Sequence, residues 1–484
     1  MLVRVASSRL QQIFDSMPIT ATDGSMITGK LVIPEYQRPY SWTEVQIKRL
    51  LQDYQHYLNE VARLEVAHRY SYYLGSIILH QSDNGSLNII DGQQRLTTLA
   101  LIAFVQNVQS GNPVNFDLTY DSPESQQQIL HNLGWLQSAS EESITRFDAN
   151  NINLTLVVTA SEDDAYRFFE TQNTGGVRLS GPDIIKAHHL RAVEESMQNQ
   201  LASKWELLGD LTPVVGSLIK GRYWQKLNNR TVPSHRTPSA VRGVIVDELG
   251  EATGKGEDVA FGRVVRTYQA DGGKLERHFQ QGYEMRQPLN EGINSIHYLT
   301  YFEGLRAKYL VDADRLDKEA SYLNEFSQFY HGLVCHLGGC SFLKALFDSC
   351  LLLYISQFGE QHLGLATKKI FRVVYAPRVS NRKSVREDSI PAFIRSYPVL
   401  DWIVASYTPQ MCFSFFDKFS LDVDTDNLKP QDNSTKKRFI NNVRSYLDDS
   451  NHGQRRSKYL AKHFVKTLDD KVRYVSIEGG VNGV

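Results

Sequence analysis

The stretch Ile90-Asp91-Gly92-Gln93-Gln94-Arg95-Leu96-Thr97-Thr98 decides the fold of the first part of this chain. It places an acid, a glycine, two amides, a guanidinium and two hydroxyls between apolar flanks. Residues 87–90 are predicted to form a strand, and the strongly apolar segment from Gln94 onward is predicted to form a buried helix. The polar cluster therefore lies where a strand ends and a helix begins.

Two interpretations of this cluster are open on spacing alone. A glycine lets the backbone approach a ligand, a helix N-terminus attracts phosphate, and Arg95 can donate paired hydrogen bonds to phosphate oxygens. Asp91 can hold a divalent cation. The alternative is a structural turn in which Asp91 caps the helix and Arg95 forms a local ion pair.

A second polar segment begins at Glu35 and continues through residues 36–42; it follows the short apolar run 31–33 and precedes a predicted helix. The pattern Ser41-x-x-Glu44 predicts a capping box at the start of that helix. Tyr36 and its aromatic neighbours can stack on a base, while Gln37 and Arg38 supply hydrogen bonds. The alternative is that aromatic residues beside prolines fill the core.

A third segment, Asn173-Thr174-Gly175-Gly176-Val177-Arg178-Leu179-Ser180, precedes a helix that carries Lys186 in its first turns. Glycines beside a helix N-terminus suit an anion. An ordinary helix–loop–helix connection, with glycine as the C-cap and serine as the N-cap, explains the segment equally well.

The remaining periodicity predicts an α+β protein. Strands are predicted at 72–79 and 152–159, with a hairpin turn at Asn84-Gly85. Beyond residue 195 the periodic segments are mainly helical, and residues 250–273 are predicted to form an exposed loop or a short hairpin. We expect domains at 1–195 and 196–400 and a helical extension at 401–484 that docks a partner or nucleic acid.

Composition narrows the class of protein. The chain has 484 residues and a formal net charge of -1, so any nucleic-acid binding must rest on local patches. Four cysteines without a Cys-x-x-Cys pair indicate a reducing compartment, and the cytoplasm is expected. The most apolar stretch, 342–358, contains Lys344 and Asp348, so no membrane span is predicted.

The three polar segments, in this order, resemble the N-terminal-domain family of the GmrSD-type modification-dependent restriction systems, a branch of the ParB/sulfiredoxin-like fold. The resemblance covers about residues 20–200. It rests on Ile33-Pro34-x-Tyr36-Gln37-Arg38-Pro39-Tyr40-x-Trp42, on residues 90–99, and on a pattern from Phe168 to Lys186. It implies a ParB/sulfiredoxin-like N-terminal domain followed by a mainly α-helical domain.

The resemblance also implies a chemistry. It implies that the site binds a nucleoside triphosphate, with hydrolysis as an open question, uses Mg²⁺, and controls a nuclease that acts on modified DNA. The implied catalytic residues are Asp91, Gln94 and Arg95, with Asp91 also at the metal. The implied nucleotide-binding residues are Tyr36, Gln37, Arg38, Gly92, Gln93, Thr97, Thr98, Asn173 and Lys186.

Many members of that family carry a C-terminal HNH nuclease, which needs a histidine before a proline on its catalytic strand. Here Lys429 precedes Pro430, and His452 and His463 lack partners in a nuclease pattern. A nuclease needs a metal ligand and a general base at that place. The sequence therefore predicts that this chain acts with a partner nuclease rather than cutting DNA itself.

One basic segment is a candidate contact with nucleic acid. It is free of acids and is interleaved with Phe371 and Tyr375, as a phosphate-binding strip can be. Its members are Lys368, Lys369, Arg372, Arg378, Arg382 and Lys383. The alternative is a solvated helix end and loop.

Three functional hypotheses follow from these patterns. The leading one is a defence-associated sensor that binds nucleoside triphosphate, and signals to DNA or to a partner nuclease. The second is a non-enzymatic DNA-binding or scaffold subunit that reads modified DNA. The third is a nuclease with an unrecognised site. Whether the chain forms a homo-oligomer is left open.

Overall fold

The computed structural model describes residues 3–65, 68–110, 118–138, 147–161, 165, 181–224, 249, 263–271, 274–312, 323–382, 385–387, 389–429, 431–447 and 456–476. The chain divides into two compact units, Met1–Leu207 and Leu208–Val484. The first unit mixes strands and helices and the second is mostly helical, so the α+β prediction is confirmed. The ParB/sulfiredoxin-like topology and the domain bounds at 195 and 400 stay predictions.

A five-stranded mixed sheet forms the base of the first unit. Its strand order is β1-β7-β5-β6-β4, with β7 parallel to β5, β4 parallel to β6, and the other pairs antiparallel. The strands predicted at 72–79, 87–90 and 152–159 are all present. The bounds are β1 Val3–Arg9, β4 Leu31–Val32, β5 Tyr72–Gln81, β6 Leu87–Asp91 and β7 Ile152–Thr159, and a separate pair consists of β2 Ile19–Thr20 and β3 Met26–Ile27.

Two long helices, α2 and α3, bury apolar side chains in the same core as the sheet. Ile47 and Leu51 of α2 and Leu96 of α3 cluster with Ile77 and Ile89 of the strands, because residues at helical spacing form one apolar stripe. The helices of this unit are α1 Leu10–Phe14, α2 Glu44–Val61, α3 Gln93–Ser110, α4 Pro123–Ser138, α5 Gly181–Arg191 and α6 Glu195–Glu206.

The capping box predicted at Ser41 and Glu44 is wrong. The N-cap of α2 is Thr43, whose hydroxyl accepts from the Val45 N–H at 3.4 Å. The Thr43 N–H donates to Oε1 of Gln46 at 2.9 Å and completes the box two residues later than predicted. Ser41 has another use, since its N–H donates to Gln94.

The turn between β6 and α3 depends on Gly92. Its φ is +97°, in the region that favours glycine. A Cβ at this position would also lie 2.2 Å from Cδ1 of Ile77 in the core. The sequence suggested that Gly92 lets the backbone approach a ligand closely. In the structure, Gly92 is needed for the turn that starts α3 over the sheet.

Within its described residues, the second unit consists of helices and a β-hairpin. The hairpin pairs β8 with β9 in residues 263–282, so the segment predicted at 250–273 extends further along the chain, and its first part lies outside the described residues. The elements are α7 Thr212–Tyr223, β8 Arg263–Asp271, β9 Lys274–Gly282, α8 Ile293–Arg306, α9 Asn324–Gly332, α10 Ser341–Phe358, α11 Leu363–Val374, α12 Ala376–Ser380, α13 Ser389–Ser396, α14 Val399–Val404, α15 Pro409–Asp417, α16 Thr435–Tyr446 and α17 Ser457–Leu468.

Helix α10 is the central helix of the second unit. It packs against α7, α11 and α14. By length and composition it is apolar enough to cross a bilayer, but 67% of its 18-residue window is buried inside the fold. That burial is typical of a core helix, whose partners are other helices rather than lipid.

The role of Gly92 can be tested by comparing two glycines with positive φ. Gly85, in the turn before β6, has a φ of +85° but open space around its Cβ position. We expect Gly85→Ala to cost about 1 kcal/mol through backbone strain. Gly92→Ala should cost about 1–3 kcal/mol more through overlap with Ile77. Urea unfolding measures both free energies, and equal losses would contradict the packing argument.

Candidate functional site

The side-chain amide of Gln94 holds the 36–42 segment in place. Its Oε1 accepts from the N–H groups of Ser41 at 2.9 Å and Trp42 at 3.2 Å, and its Nε2 donates to Pro39 O at 3.0 Å. Gln94 is 6% exposed. One buried amide thus satisfies three backbone groups of a segment that has no secondary structure of its own.

Gln93 points to a different part of the same segment. Its Nε2 donates to Arg38 O at 2.9 Å and to the Tyr120 hydroxyl at 3.2 Å. The Tyr120 hydroxyl also shares a hydrogen bond of 2.5 Å with Oγ1 of Thr97. The Gln93 amide therefore joins the 36–42 segment to the start of α4 through Tyr120.

Tyr40 and Thr98 lie on the side of the 36–42 segment that faces the core. Their hydroxyls lie 2.8 Å apart, and Nδ2 of Asn132 donates to the Tyr40 hydroxyl at 3.1 Å. Asn132 also donates to Trp42 O at 2.6 Å. Both Tyr40 and Thr98 are buried, so they support the segment from behind rather than facing solvent.

Asp91 and Arg95 face the β5 strand instead. The Arg95 guanidinium donates to Leu74 O at 3.2 Å and Ser76 O at 2.8 Å, and it lies 3.2 Å from Oδ2 of Asp91. The Arg95 guanidinium fits there for two reasons. The register of β5 is irregular at this point, and Gly75 has no side chain. A Cβ on Gly75 would lie only 2.8 Å from Nη1 of Arg95. This arrangement matches the local ion pair left open by the sequence.

Lys186, on the helix α5 that follows the third segment, contacts the second segment. Its Nζ donates to Gln37 O at 3.1 Å and to Oε1 of Glu206 at 3.1 Å, and its side chain is 2% exposed. Gln37 in turn donates to Ile90 O at 3.3 Å. The 36–42 segment, the end of β6 and Lys186 of α5 therefore meet at Gln37, while residues 173–180 of the third segment lie outside the described residues.

A cleft opens beside Gln37, with about 260 Å³ of space that includes open solvent at its mouth. Three carboxylates and one guanidinium are among the groups that line it. The lining residues are Ile33, Pro34, Glu35, Gln37, Arg38, Pro39, Gln93, Thr119, Tyr120, Asp121, Ser122, Ser125 and Glu206. We call it the Gln37 pocket.

Burial and like charge act on one acid of the Gln37 pocket. Partial burial raises the pKa of Glu35, and the nearby carboxylates of Asp121 and Glu206 raise it further, while Lys186 opposes the rise. Burial also raises the pKa of Tyr120 to about 12, so its hydroxyl stays protonated at neutral pH. The lining thus carries three carboxylates and the Arg38 guanidinium.

The structure separates the predicted site residues. Gln37, Arg38 and Gln93 line the Gln37 pocket, whereas Asp91, Gln94 and Arg95 do not. The catalytic and metal roles of those three stay predictions. Tyr36, Thr97, Thr98 and Lys186 are buried in its surroundings, Gly92 forms the turn, and Asn173 lies outside the described residues.

Several lining residues were missed by the sequence analysis. Glu35 lies within the motif that runs from Ile33 to Trp42, but no role was predicted for it. Asp121 and Ser122 precede α4 and are typical of a helix start, and Glu206 ends an amphipathic helix. None of these three positions carries a pattern that ties it to residues 36–38.

The predicted basic strip is a misreading at three positions. Lys369 and Arg372 are each 2% exposed at the side chain and pair with Asp417 and Asp469 at 2.7 and 2.6 Å, and Arg378 is also buried. Lys368 pairs with Glu325, and the exposed Arg382 pairs with Asp426. Lys383 lies outside the described residues. Buried ion pairs, rather than a phosphate contact, engage Lys369 and Arg372.

Two stretches of the chain match known families. Residues 21–190 match the GmrSD restriction endonuclease N-terminal domain. This segment belongs to that family. Residues 197–432 match a family of unknown function (DUF7834), and no curated protein matches the chain. The predicted resemblance is therefore confirmed.

The structural role of Gln94 predicts a stability defect. Gln94→Leu removes the partner of two part-buried N–H groups and of one carbonyl, which should lower the free energy of unfolding by about 1–3 kcal/mol. Gln127, an exposed residue of α4, serves as the control, and Gln127→Leu should change it by less than about 0.5 kcal/mol. Urea unfolding followed by circular dichroism compares them. If the Gln94→Leu protein were as stable as the control, the 36–42 segment would keep its conformation without the Gln94 amide, and the prediction would be wrong.

Proposed function

We propose that the first unit is the nucleotide-sensing module of a restriction-type defence system, and that it binds the phosphates of a nucleoside triphosphate in the Gln37 pocket. The observation that carries this proposal is the meeting at Gln37 of the 36–42 segment, the end of β6 and Lys186 of α5, beside a cleft whose lining includes three carboxylates and Arg38. Membership of residues 21–190 in the GmrSD N-terminal-domain family supports the restriction context.

Arg38 is the residue placed to contact phosphate. It lines the pocket, and within the described part of the chain its guanidinium has no hydrogen bond or ion pair, unlike that of Arg95. A guanidinium can donate two parallel hydrogen bonds to phosphate oxygens. The Tyr120 hydroxyl and the serines at 122 and 125 add neutral hydrogen-bonding groups to the same cleft.

The charge of the pocket bears on the form in which the ligand would bind. Three of the lining side chains are carboxylates. Its carboxylates would repel a free triphosphate. The ligand would therefore bind as its Mg²⁺ complex, in which the cation offsets that repulsion.

Lys186 links the wall of the Gln37 pocket to helices α5 and α6, so ligand binding in the pocket can act on both helices. Lys186 on α5 holds both Gln37 of the pocket wall and Glu206 at the end of α6. A ligand that moves the 36–38 backbone would therefore act on these two helices. In the proposed system this change controls a partner nuclease on DNA, since the sequence of this chain lacks a recognisable HNH motif.

Nucleotide binding by two arginine variants tests the proposal. We expect Arg38→Ala to weaken Mg²⁺–triphosphate binding by at least about tenfold, in line with the loss of a charge-assisted contact of about 1.5–3 kcal/mol. The exposed Arg63 provides the matched control, and Arg63→Ala should bind as wild type does. Isothermal titration calorimetry with each of the four triphosphates measures the affinities and the base preference.

The same proteins separate the proposal from its alternatives. Loss of binding in Asp91→Asn or Arg95→Ala with full binding in Arg38→Ala would move the ligand to the β5 side of α3 and contradict the proposal. If no triphosphate binds while the chain retains DNA affinity, the chain is a DNA-binding or scaffold subunit instead. Triphosphate turnover, followed by phosphate release, decides whether bound nucleotide is hydrolysed.

A further inference from the structure

We infer that the exposed faces of helices α16 and α17, in the second unit, bind the phosphate backbone of double-stranded DNA. This inference goes beyond the proposed function, because it does not depend on nucleotide binding by the first unit. It moves the nucleic-acid contact away from the segment 368–383, where Lys369 and Arg372 are used in buried ion pairs. The family match to residues 197–432 ends before α16 begins, so it assigns no role to this surface.

Three exposed lysines of α17 form a row along one side of the helix. They are Lys458, Lys462 and Lys466, and each follows the one before it after four residues. Residues four apart lie on the same side of an α-helix, with about 6 Å between them along the axis. We call these three residues the lysine stripe, which is a regular row of positive charges that faces solvent.

The charges of the lysine stripe are not neutralised by the protein. Within the described part of the chain, none of the three ammonium groups has a hydrogen bond or an ion pair. Residues 435–446 of α16 and 457–468 of α17 contain no aspartate or glutamate. Two more exposed cations flank the stripe, Arg456 just before α17 and Arg438 on α16, and the latter donates only to the Thr435 hydroxyl, at 3.4 Å. The two helices therefore present an excess of positive charge.

The fold holds α17 by its opposite side. Phe464 is 1% exposed, and its ring centroid lies 6.2 Å from that of Phe439 on α16. In the turn that follows α17, Val472 O and Arg473 O accept from Nζ of Lys369 at 3.1 and 3.0 Å. The lysine stripe takes part in none of these contacts. The packing of the second unit therefore does not require it.

The lysine stripe also has a cost for the helix. Like charges four residues apart on a helix repel each other and destabilise it. The buried lysines of the same unit differ, because Lys369 pairs with Asp417 and Lys436 with Asp424. The whole chain has a net charge of -1, so an excess of basic residues in the composition does not explain the stripe. A partner with negative charge explains it better than the fold does.

A duplex backbone is the partner that this surface fits. It presents phosphates at regular spacing, and lysines that bind them release condensed counterions. Besides its basic residues, α16 exposes Asn441, Asn442 and Ser445, whose amides and hydroxyl are common donors to phosphate oxygens. Binding of single strands depends on bases that stack on aromatic side chains. All residues of α16 and α17 are described, and no aromatic residue is among their exposed positions, so the duplex is favoured.

DNA binding by the full chain tests the inference. Fluorescence anisotropy with a short labelled duplex measures the affinity at several salt concentrations. We expect the triple variant Lys458→Gln, Lys462→Gln, Lys466→Gln to bind the duplex at least about tenfold more weakly, and the slope of log affinity against log salt to fall by about 2–3. Lys462→Gln alone should lower that slope by about 1. The three lysines are exposed, and urea unfolding checks that each variant is as stable as wild type.

A matched triple variant separates the surface from the net charge. Lys30→Gln, Lys48→Gln, Lys204→Gln removes three exposed lysines of the first unit and the same total charge, and it should bind the duplex as wild type does. An equal loss of affinity in both triple variants would overturn the inference. So would a wild-type chain that binds no duplex at low salt, or one that binds a single strand more tightly. The lysine-stripe variant should still bind Mg²⁺–triphosphate, so failure here is distinct from failure of the proposed function.

Discussion

The buried amide of Gln94 is the interaction on which the first unit's site depends. Residues 36–42 have no helix or strand to satisfy their backbone, and Gln94 accepts from Ser41 and Trp42 and donates to Pro39. A glutamate could not donate to the Pro39 carbonyl, and an apolar residue could make none of the three bonds. With the segment fixed, Gln37 and Arg38 reach the cleft.

Successive residues at the start of α3 perform different tasks because a helix turns about 100° per residue. Gln93 joins the pocket wall to Tyr120, Gln94 holds the 36–42 segment, and Arg95 ties the helix to β5. A motif that looks like one chemical cluster in the sequence is therefore distributed over three surfaces. Part of the role of this motif is to build the Gln37 pocket. We assign the contact with the ligand to neighbouring residues, above all Arg38.

Local patterns predicted the elements well and the site only in part. Alternation and turn residues predicted β5, β6 and β7, since these signals depend on neighbours in sequence. The pocket could not be predicted, because Asp121 and Glu206 reach it from distant segments without a motif. The basic segment was misread for a similar reason: Lys369 and Arg372 find their acids at 417 and 469, far along the chain.

The most direct test of the central claim is a crystal structure of the chain with Mg²⁺ and a non-hydrolysable nucleoside triphosphate. The account predicts phosphate density in the Gln37 pocket, in contact with the Arg38 guanidinium. Phosphate density on the β5 side of α3, at Asp91 and Arg95, with the Gln37 pocket filled by water alone, would contradict it.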